Sequence, residues 1–183
     1  MTTFWSSVNL QPKRKFRWYV DFPNLSEIKY AAKTINKPSF KVGNTAHQFI
    51  NHTFHFPNRL VWEPVTVTLV DGTLPGQLGA EDSLTGRLYG LMLGSGYSVP
   101  SDIESCKDGL TKQAFSKNLG QVHIIQLGDD GKPTAKDPVL EDWTLHNCLI
   151  EDIKFGDLSY EDDGLVEITL TLVYDYATLV GVN

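Results

Sequence analysis

The sequence has few of the features that mark a secreted, membrane-bound or metal-binding protein. Its two cysteines, Cys106 and Cys148, lie far apart and form no CxxC pair. Two reduced thiols in a protein made in a cytosol are therefore expected, with a single bridge between them as the open alternative. No stretch approaches the ~18 apolar residues that a membrane span needs. The N-terminal MTTFWSSVNLQPKRK has no apolar run after its positive charges, so we expect no signal peptide and a protein that stays in the cytoplasm.

Motifs that bind phosphate or activate a nucleophile are also missing. The chain contains no GxSxG, HExxH, GxxxxGK[ST] or GxGxxG. Gly90, Gly94 and Gly96 are too scattered to cradle a phosphate, and no pair of carboxylates stands out among the many acids. The sequence therefore predicts no catalytic residue, no bound cofactor and a protein that is not an enzyme.

The histidines do not indicate a metal site. His52 and His55 are three residues apart on a predicted strand and would point to opposite faces. His47 and His55 would come close enough to share a metal ion only if they paired across a hairpin, and a structural role is favoured for both. We therefore expect no bound metal.

Charge is unevenly distributed along the chain. Residues 1–60 carry a net charge of +7, residues 61–183 carry −13, and the total is −6. Such asymmetry is typical either of nucleic-acid binding or of head-to-tail association between identical subunits. The basic cluster contains Lys13, Arg14, Lys15 and Arg17, beside Trp18 and Tyr19. It would suit single-stranded nucleic acid, but the isoelectric point near 5.3 favours a solvated strand edge instead.

Period-two alternation dominates the sequence and predicts strands. The clearest cases are residues 13–22, 60–71 and 165–176, and further strands are predicted at 28–36, 121–127 and 143–155. In the last of the three clear cases Val166, Ile168, Leu170, Leu172, Tyr174 and Tyr176 share an apolar face. Alternation slips near Glu151 and Asp152, which indicates a bulge.

The remaining segments predict a hairpin, one helix and an irregular region. Two short strands around a loop near Gly43 and Asn44 would form an extended, aromatic-rich hairpin at about 39–57. A helix is predicted to begin at an Asp82 or Ser83 cap and to bury Leu84, Leu88 and Leu91. Residues 97–142 form an elaborated loop region. We therefore expect a single domain over 1–183 that is mainly β, a sandwich or barrel with one packed α-helix.

The C-terminal stretch CLIEDIKFGDLSYEDDGLVEITLTLVYDY resembles the closing segment of tail tube proteins of contractile-tailed bacteriophages. The resemblance lies in Gly156, Asp157, Leu158 and Tyr160, then the acidic turn 161–164, then the long alternating strand. FRWYVDF near the N-terminus, the Ala32-Lys33-Thr34 region and RLVWEPVTVTLVDG are similar to further blocks of that family, in the same order. The family is related to the tube proteins of contractile injection and type VI secretion systems.

This resemblance implies a structural virion protein in the phage tail, assembled in the host cytoplasm. Subunits would form hexameric rings whose inner sheets join into a ring-wide β-barrel, and rings would stack into a tube. DNA would pass through the lumen on ejection without specific binding. The implied partners are the tail sheath, tape measure, baseplate and tail terminator proteins.

Other functions stay open at this point. One is a tube subunit of a bacterial contractile injection or type VI secretion system, or a baseplate tube initiator. The long 97–142 region leaves open whether the chain is the main tube protein or a paralogue at the baseplate or terminator. A small-ligand-binding β-barrel is the distant alternative.

Two sets of residues are candidates for assembly roles. The candidates for the lumen face are Thr66, Thr68, Glu167, Thr169, Thr171 and Asp175. The candidates for ring stacking are Lys33, Lys37, Lys41, Arg59, Asp157, Glu161, Asp162, Asp163, Phe49 and Phe54.

Overall fold

The computed structural model describes residues 13–25, 29, 31–73, 79, 82–101, 109–128 and 139–180. Within these ranges the chain is mainly β, as predicted. The strands are β1 (Trp18–Asp21), β2 (Ala32–Ile35), β3 (Ser39–Phe49), β4 (His52–Glu63), β5 (Val65–Val70), β6 (Val122–Leu127), β7 (Val139–His146), β8 (Leu149–Lys154), β9 (Glu167–Val173) and β10 (Tyr176–Leu179). The helices are α1 (Leu84–Gly94) and α2 (Lys112–Leu119).

The strands form two four-stranded antiparallel sheets and a separate two-stranded hairpin. The first sheet has the order β1-β6-β7-β10, the second has the order β2-β5-β9-β8, and β3 pairs with β4 alone. Both four-stranded sheets contribute alternate side chains to one hydrophobic core, which α1 also joins. The second sheet supplies Val65, Val67, Leu69, Ile168, Leu170 and Leu172, all buried.

Helix α1 lies where the sequence predicted it. The Ser83 hydroxyl accepts a hydrogen bond from the Gly86 amide at 3.0 Å and so caps the first turn. Leu84, Leu88 and Leu91 are buried, because they recur on one face of the helix. None of the helices among the described residues is long and apolar enough to cross a bilayer.

A second helix, α2, was not expected. It begins after Thr111, whose hydroxyl accepts from the Ala114 amide, and ends at Gly120 in a left-handed conformation. It packs against α1 and β8. Only Leu119 of its eight residues is buried, so the sequence offered too weak a periodicity to predict more than a helical turn.

The prediction of one long strand over 165–176 was wrong. Strand β9 ends at Val173, and β10 leaves it to pair with β7 in the first sheet. The crossing is fixed at Asp175, whose amide donates to the His146 carbonyl at 3.0 Å. Tyr176 is consequently exposed rather than in the core, whereas Ile168, Leu170, Leu172 and Tyr174 are buried as predicted.

The hairpin is longer than predicted. Strand β3 continues through the expected loop at Gly43, where the pairing register shifts, and turns only at Ile50 and Asn51. Strand β4 then runs to Glu63, beyond the predicted end near 57. Pro64 separates β4 from β5, so the predicted strand over 60–71 is two strands in different sheets.

The other strand predictions were partly correct. Strand β1 is shorter than the strand predicted over 13–22, and Phe16, which lies before it, is exposed. The predicted bulge near Glu151 is confirmed by a register shift between Ile150 and Asp152, but the strand predicted at 143–155 is split into β7 and β8.

Cys148 is a free thiol in the core, where burial raises its pKa to about 12. Cys106, its partner in the alternative of a single bridge, lies outside the described residues.

Candidate assembly interface

One face of the hairpin is apolar and uncovered. Residues directly opposite in the β3–β4 ladder share a face, and towards the turn the pairs Thr45 with Phe56, His47 with Phe54 and Phe49 with His52 define it. We call Phe49, Phe54 and Phe56 the hairpin apolar face. Each of these three side chains is between 50% and 59% exposed. Nothing else in the described chain covers them.

A bulge on β4 divides the apolar residues of the hairpin between its two faces. Where β3 advances two residues, from Val42 to Asn44, β4 advances three, so the extra residue belongs to β4. Alternation along β3 is unbroken, and Phe40 and Val42 therefore lie on the face opposite to Phe49, near the base of the hairpin. The ion pair between Lys41 and Glu63 lies at the base, on the same face as Phe49.

The base of the hairpin is fixed to the core by aromatic contacts. The Trp62 ring lies 5.3 Å from the Phe40 ring, edge to face, and 5.9 Å from the ring of Tyr174. Burial raises the pKa of the Tyr174 hydroxyl to about 12, so this side chain stays neutral. The contact between Trp62 and Tyr174 therefore links the base of the hairpin to the core next to the end of β9.

The histidines do not converge on this hairpin. His47 lies opposite Phe54 and His55 lies opposite Ala46, which places the two histidines on different faces. In the part of the chain that the structure describes, no group of three or more His, Cys, Asp or Glu residues is arranged to hold a metal ion.

The second sheet presents a polar face made of cross-strand hydroxyl pairs. Thr66 lies opposite Thr171, and Thr68 lies opposite Thr169. The rows extend to the neighbouring strands through Thr34 on β2 and through Asp152 and Lys154 on β8. We call these seven residues, together with Glu167, the threonine face. Sequence analysis missed the β8 members because the bulge at Glu151 reverses the alternation there.

Charges on the threonine face are paired within the chain. Lys33 forms an ion pair with Glu167, and Lys154 lies 3.8 Å from Asp152. Asp175 does not join this face, because it follows β9 and binds Lys112 at 2.6 Å and the Asn147 amide at 2.8 Å. The hydrogen bonds from Lys112 and Asn147 lower the pKa of the Asp175 carboxyl.

Three of the four basic stacking candidates already have a carboxylate partner in the same chain. Lys33 pairs with Glu167, Lys37 with Glu141, and Lys41 with Glu63. For Arg59, which is exposed, no such pair is found among the described residues. The sequence pattern gives no indication of these ion pairs, because two of them join residues more than a hundred positions apart.

The four acidic stacking candidates lie together on one exposed loop, residues 155–166, which we call the acidic loop. Its base requires Gly156, which has φ +84°, and a Cβ there would lie 2.6 Å from the Glu167 carbonyl oxygen. Two turns order the loop: the Ser159 hydroxyl accepts from the Glu161 amide, and the Asp162 carboxylate accepts from the Gly164 amide. Leu158 is 86% exposed and Tyr160 is fully exposed.

A cleft of about 500 Å³ opens where β1 and β6 approach β2. We call it the lysine cleft. It is lined by Lys13, Lys15, Trp18, Lys33, Thr34, Ile35, Lys37, Ile124, Ile125, Gln126 and Trp143. At its margin Glu141 binds both Lys13 and Lys37. Although burial opposes ionisation of Glu141, hydrogen bonds from Lys13, Lys37 and Trp143 lower its pKa to about 2.

Solved contractile injection particles contain chains with this fold. A chain of the anti-feeding prophage (AFP) baseplate superposes with a TM-score of 0.60 at 13% identity, covering 94% of this chain and 97% of that one. A chain of the sheath/tube terminator of PVC, an extracellular contractile injection system, gives 0.62 at 12% identity over 94% and 99%. A chain of the PVC sheath–tube complex gives 0.59 at 12% identity and covers both chains completely.

No protein-family model and no curated protein sequence matches the chain. The structural likeness therefore shows the fold, and at this level it confirms the resemblance to tail tube proteins noted in the sequence.

Proposed function

We propose that this chain is a structural subunit of the inner tube of a contractile tail, and that its copies form hexameric rings that stack head to tail. The hairpin apolar face carries the proposal. An isolated two-stranded hairpin is marginally stable at best, and contiguous exposed apolar patches mark protein–protein contacts. Strands of this length project ~35 Å at ~3.3 Å per residue, which is far enough to reach a neighbouring subunit.

Ring formation would use the open edges of the second sheet. Its outer strands are β2 and β8, and pairing of β8 in one copy with β2 in the next would continue the sheet around a ring. Closing the sheet into a shared barrel satisfies backbone groups that an open edge leaves unpaired. The single domain would then supply one segment of that barrel, with the hairpin extending from it.

The threonine face is our candidate for the lumen. Among the sequence candidates, Thr66, Thr68, Glu167, Thr169 and Thr171 belong to it, and Asp175 does not. Its hydroxyls and paired charges offer few unpartnered cations to a phosphate backbone, so DNA would slide past it with little adhesion. We therefore propose DNA in a phage tail as the cargo, with sheath, tape measure, baseplate and terminator proteins as partners.

The second candidate is a tube, baseplate or terminator subunit of an injection particle that carries other cargo. The fold is shared with chains of the AFP baseplate and the PVC sheath/tube terminator, which favours this candidate. In both candidate functions, copies of the chain form rings that stack. The candidates differ in what passes through the lumen.

Assembly is tested by analytical ultracentrifugation and negative-stain microscopy over a range of protein concentrations. Sixfold rings and short tubes are expected at high concentration. A compact monomer at every concentration, with no rings on grids, would rule out a tube subunit.

The lumen is tested by Thr171→Lys, with Gln113→Lys on the exposed surface of α2 as the control of equal charge. Both variants should assemble, and only Thr171→Lys should slow DNA ejection from particles, because its ammonium would bind phosphates. Equal ejection rates in both variants would place the threonine face outside the lumen.

A further inference from the structure

We infer that the lysine cleft of one copy receives the acidic loop of a second copy. This contact rests on the proposed function only in requiring that copies of the chain associate. The contact is separate from the hairpin apolar face. In it the lysine cleft is the receiving site, and the acidic loop is the segment that inserts.

The cleft combines an apolar floor with a cationic rim. Trp18 and Trp143 lie on β1 and β7 of the first sheet, and Ile35 lies on β2 of the second, so the floor is built from both sheets. The four lysines stand around this floor. Such a site suits a segment that carries both an aromatic or aliphatic side chain and carboxylates.

Charge in the cleft is only partly neutralised within the chain. Glu141 and Glu167 are the carboxylates bound to rim lysines, against four ammonium groups. Lys37 donates to Gln126 and Glu141, and an ammonium has three protons, so one donor is left. Lys15 has no acceptor among the residues that the structure describes. The rim therefore has donors for further carboxylates.

The acidic loop carries the matching groups. Asp157, Glu161, Asp162 and Asp163 flank Leu158 and Tyr160, and all are exposed. Tyrosine is enriched among the residues that anchor interfaces, because its ring buries a large area while its hydroxyl still hydrogen-bonds. The turns at Ser159 and Asp162 hold the loop in shape, which lowers the entropy lost when it inserts.

The two surfaces are different parts of one chain, so the contact between copies is heterologous. A heterologous contact repeats from copy to copy and gives either a closed ring or an open stack. This one recurring contact would explain why the first third of the sequence is basic and the remainder is acidic.

The test uses one reactive cysteine in each of two variants. Cys106→Ser removes one native thiol from every protein, and Cys148 is buried. Lys15→Cys places a thiol at the cleft rim, and Tyr160→Cys places one on the loop. The two proteins are mixed and treated with a short bismaleimide cross-linker, and a dimer containing one of each is expected as the main product.

Leu110→Cys mixed with Lys15→Cys is the matched control, since Leu110 is exposed but lies outside the loop. A peptide of sequence GDLSYEDDGL should suppress the cleft–loop dimer, whereas a scrambled peptide of the same composition should not. Cross-linking at the control level, or equal suppression by both peptides, would overturn the inference.

Microscopy of the parent protein keeps this result separate from the proposed function. Rings without the cleft–loop cross-link would leave the tube proposal standing and refute the inserted loop. A specific cross-link without rings or tubes would support the inserted loop and refute the tube proposal.

Discussion

Strand β9 and the hairpin have the same alternating pattern and opposite surroundings. Ile168, Leu170 and Leu172 of β9 are at most 1% exposed, whereas every member of the hairpin apolar face is about half exposed. Period-two alternation therefore indicates that one face of a strand is apolar, but it does not indicate what covers that face. For β9 the cover is the same chain, and for the hairpin we propose that it is a second copy.

The comparison separates folding from assembly. A side chain already buried in the monomer contributes to the free energy of unfolding, whereas one buried only between copies contributes to association. Substitutions on the two elements should therefore be distinguished by which measurement they change.

The largest effect on assembly is expected from Phe54→Ser combined with Phe56→Ser. Fully burying a phenylalanine yields about 1.5–3 kcal/mol, and about half of each ring is left to bury, so losing two should raise the concentration needed for assembly roughly 10-fold to 100-fold. The free energy of unfolding of the monomer should change by less than ~1 kcal/mol, since both rings are already half exposed. Sedimentation and urea denaturation measure the two quantities.

Val42→Ser is the control for that experiment. Val42 lies on the opposite face of the hairpin, across from Leu60, and is also about half exposed. Its replacement should leave assembly nearly unchanged. A loss of assembly as large as that of the double variant would show that the hairpin apolar face is not the adhesive surface.

The largest effect on stability is expected from Leu170→Ala. This substitution leaves a cavity between the sheets and should lower the free energy of unfolding by about 2–5 kcal/mol. Urea denaturation of the monomer measures it, with Leu110→Ala on the surface as the control, expected within ~0.5 kcal/mol of the parent. A loss below ~1 kcal/mol would contradict the burial of β9.

Local signals explain what the sequence predicted correctly. The Ser83 cap and the spacing of Leu84, Leu88 and Leu91 act within a few residues, and α1 lies where they indicated. The core face of β9 follows in the same way from alternation. Phe49 and Phe54 were singled out on similar grounds and do share a face.

What the sequence did not predict depends on distant contacts. Strand β9 ends where the Asp175 amide donates to the distant His146 carbonyl, and the two faces of the hairpin are set by a one-residue bulge on β4 opposite Gly43. The threonine face gained Thr34, Asp152 and Lys154 through register, which no single strand specifies. The ion pairs of Lys33 and Lys37 likewise require the folded chain.

The next effect in size concerns Glu141, whose folded pKa of about 2 lies below its ordinary value of 4.5. A lowered folded pKa stabilises the protein at pH values above the unfolded pKa, and this stabilisation is lost as pH falls through 4.5 towards 2. Glu141→Gln should therefore lower the free energy of unfolding by about 1–3 kcal/mol at pH 7.

The difference between parent and Glu141→Gln should shrink steadily from pH 5 downwards and nearly vanish at pH 2. Denaturation curves at several pH values measure it, with Glu161→Gln on the acidic loop as an exposed control. A difference that stays constant across this range would mean that the ionised carboxylate of Glu141 does not stabilise the fold.

The smallest effect is expected from charges on the surface, which should act on the rate of assembly rather than on the finished tube. Exposed ion pairs contribute ~0–1 kcal/mol each and are screened beyond ~8–10 Å at physiological salt. Reversing Lys37 or Lys41 would also break its pair with Glu141 or Glu63, so Arg59 is the cleaner choice.

Arg59→Glu should slow assembly about twofold to tenfold at low salt, because complementary charge raises the association rate, and Asp163→Lys in the same chain should partly restore it. Light scattering at low and high salt follows the rate. The parent itself should assemble more slowly as salt rises, while preformed tubes persist, since we propose that the hairpin apolar face supplies most of the adhesion. If parent and variants all assemble at the same rate at low and high salt, the charge asymmetry of the sequence does not act in assembly.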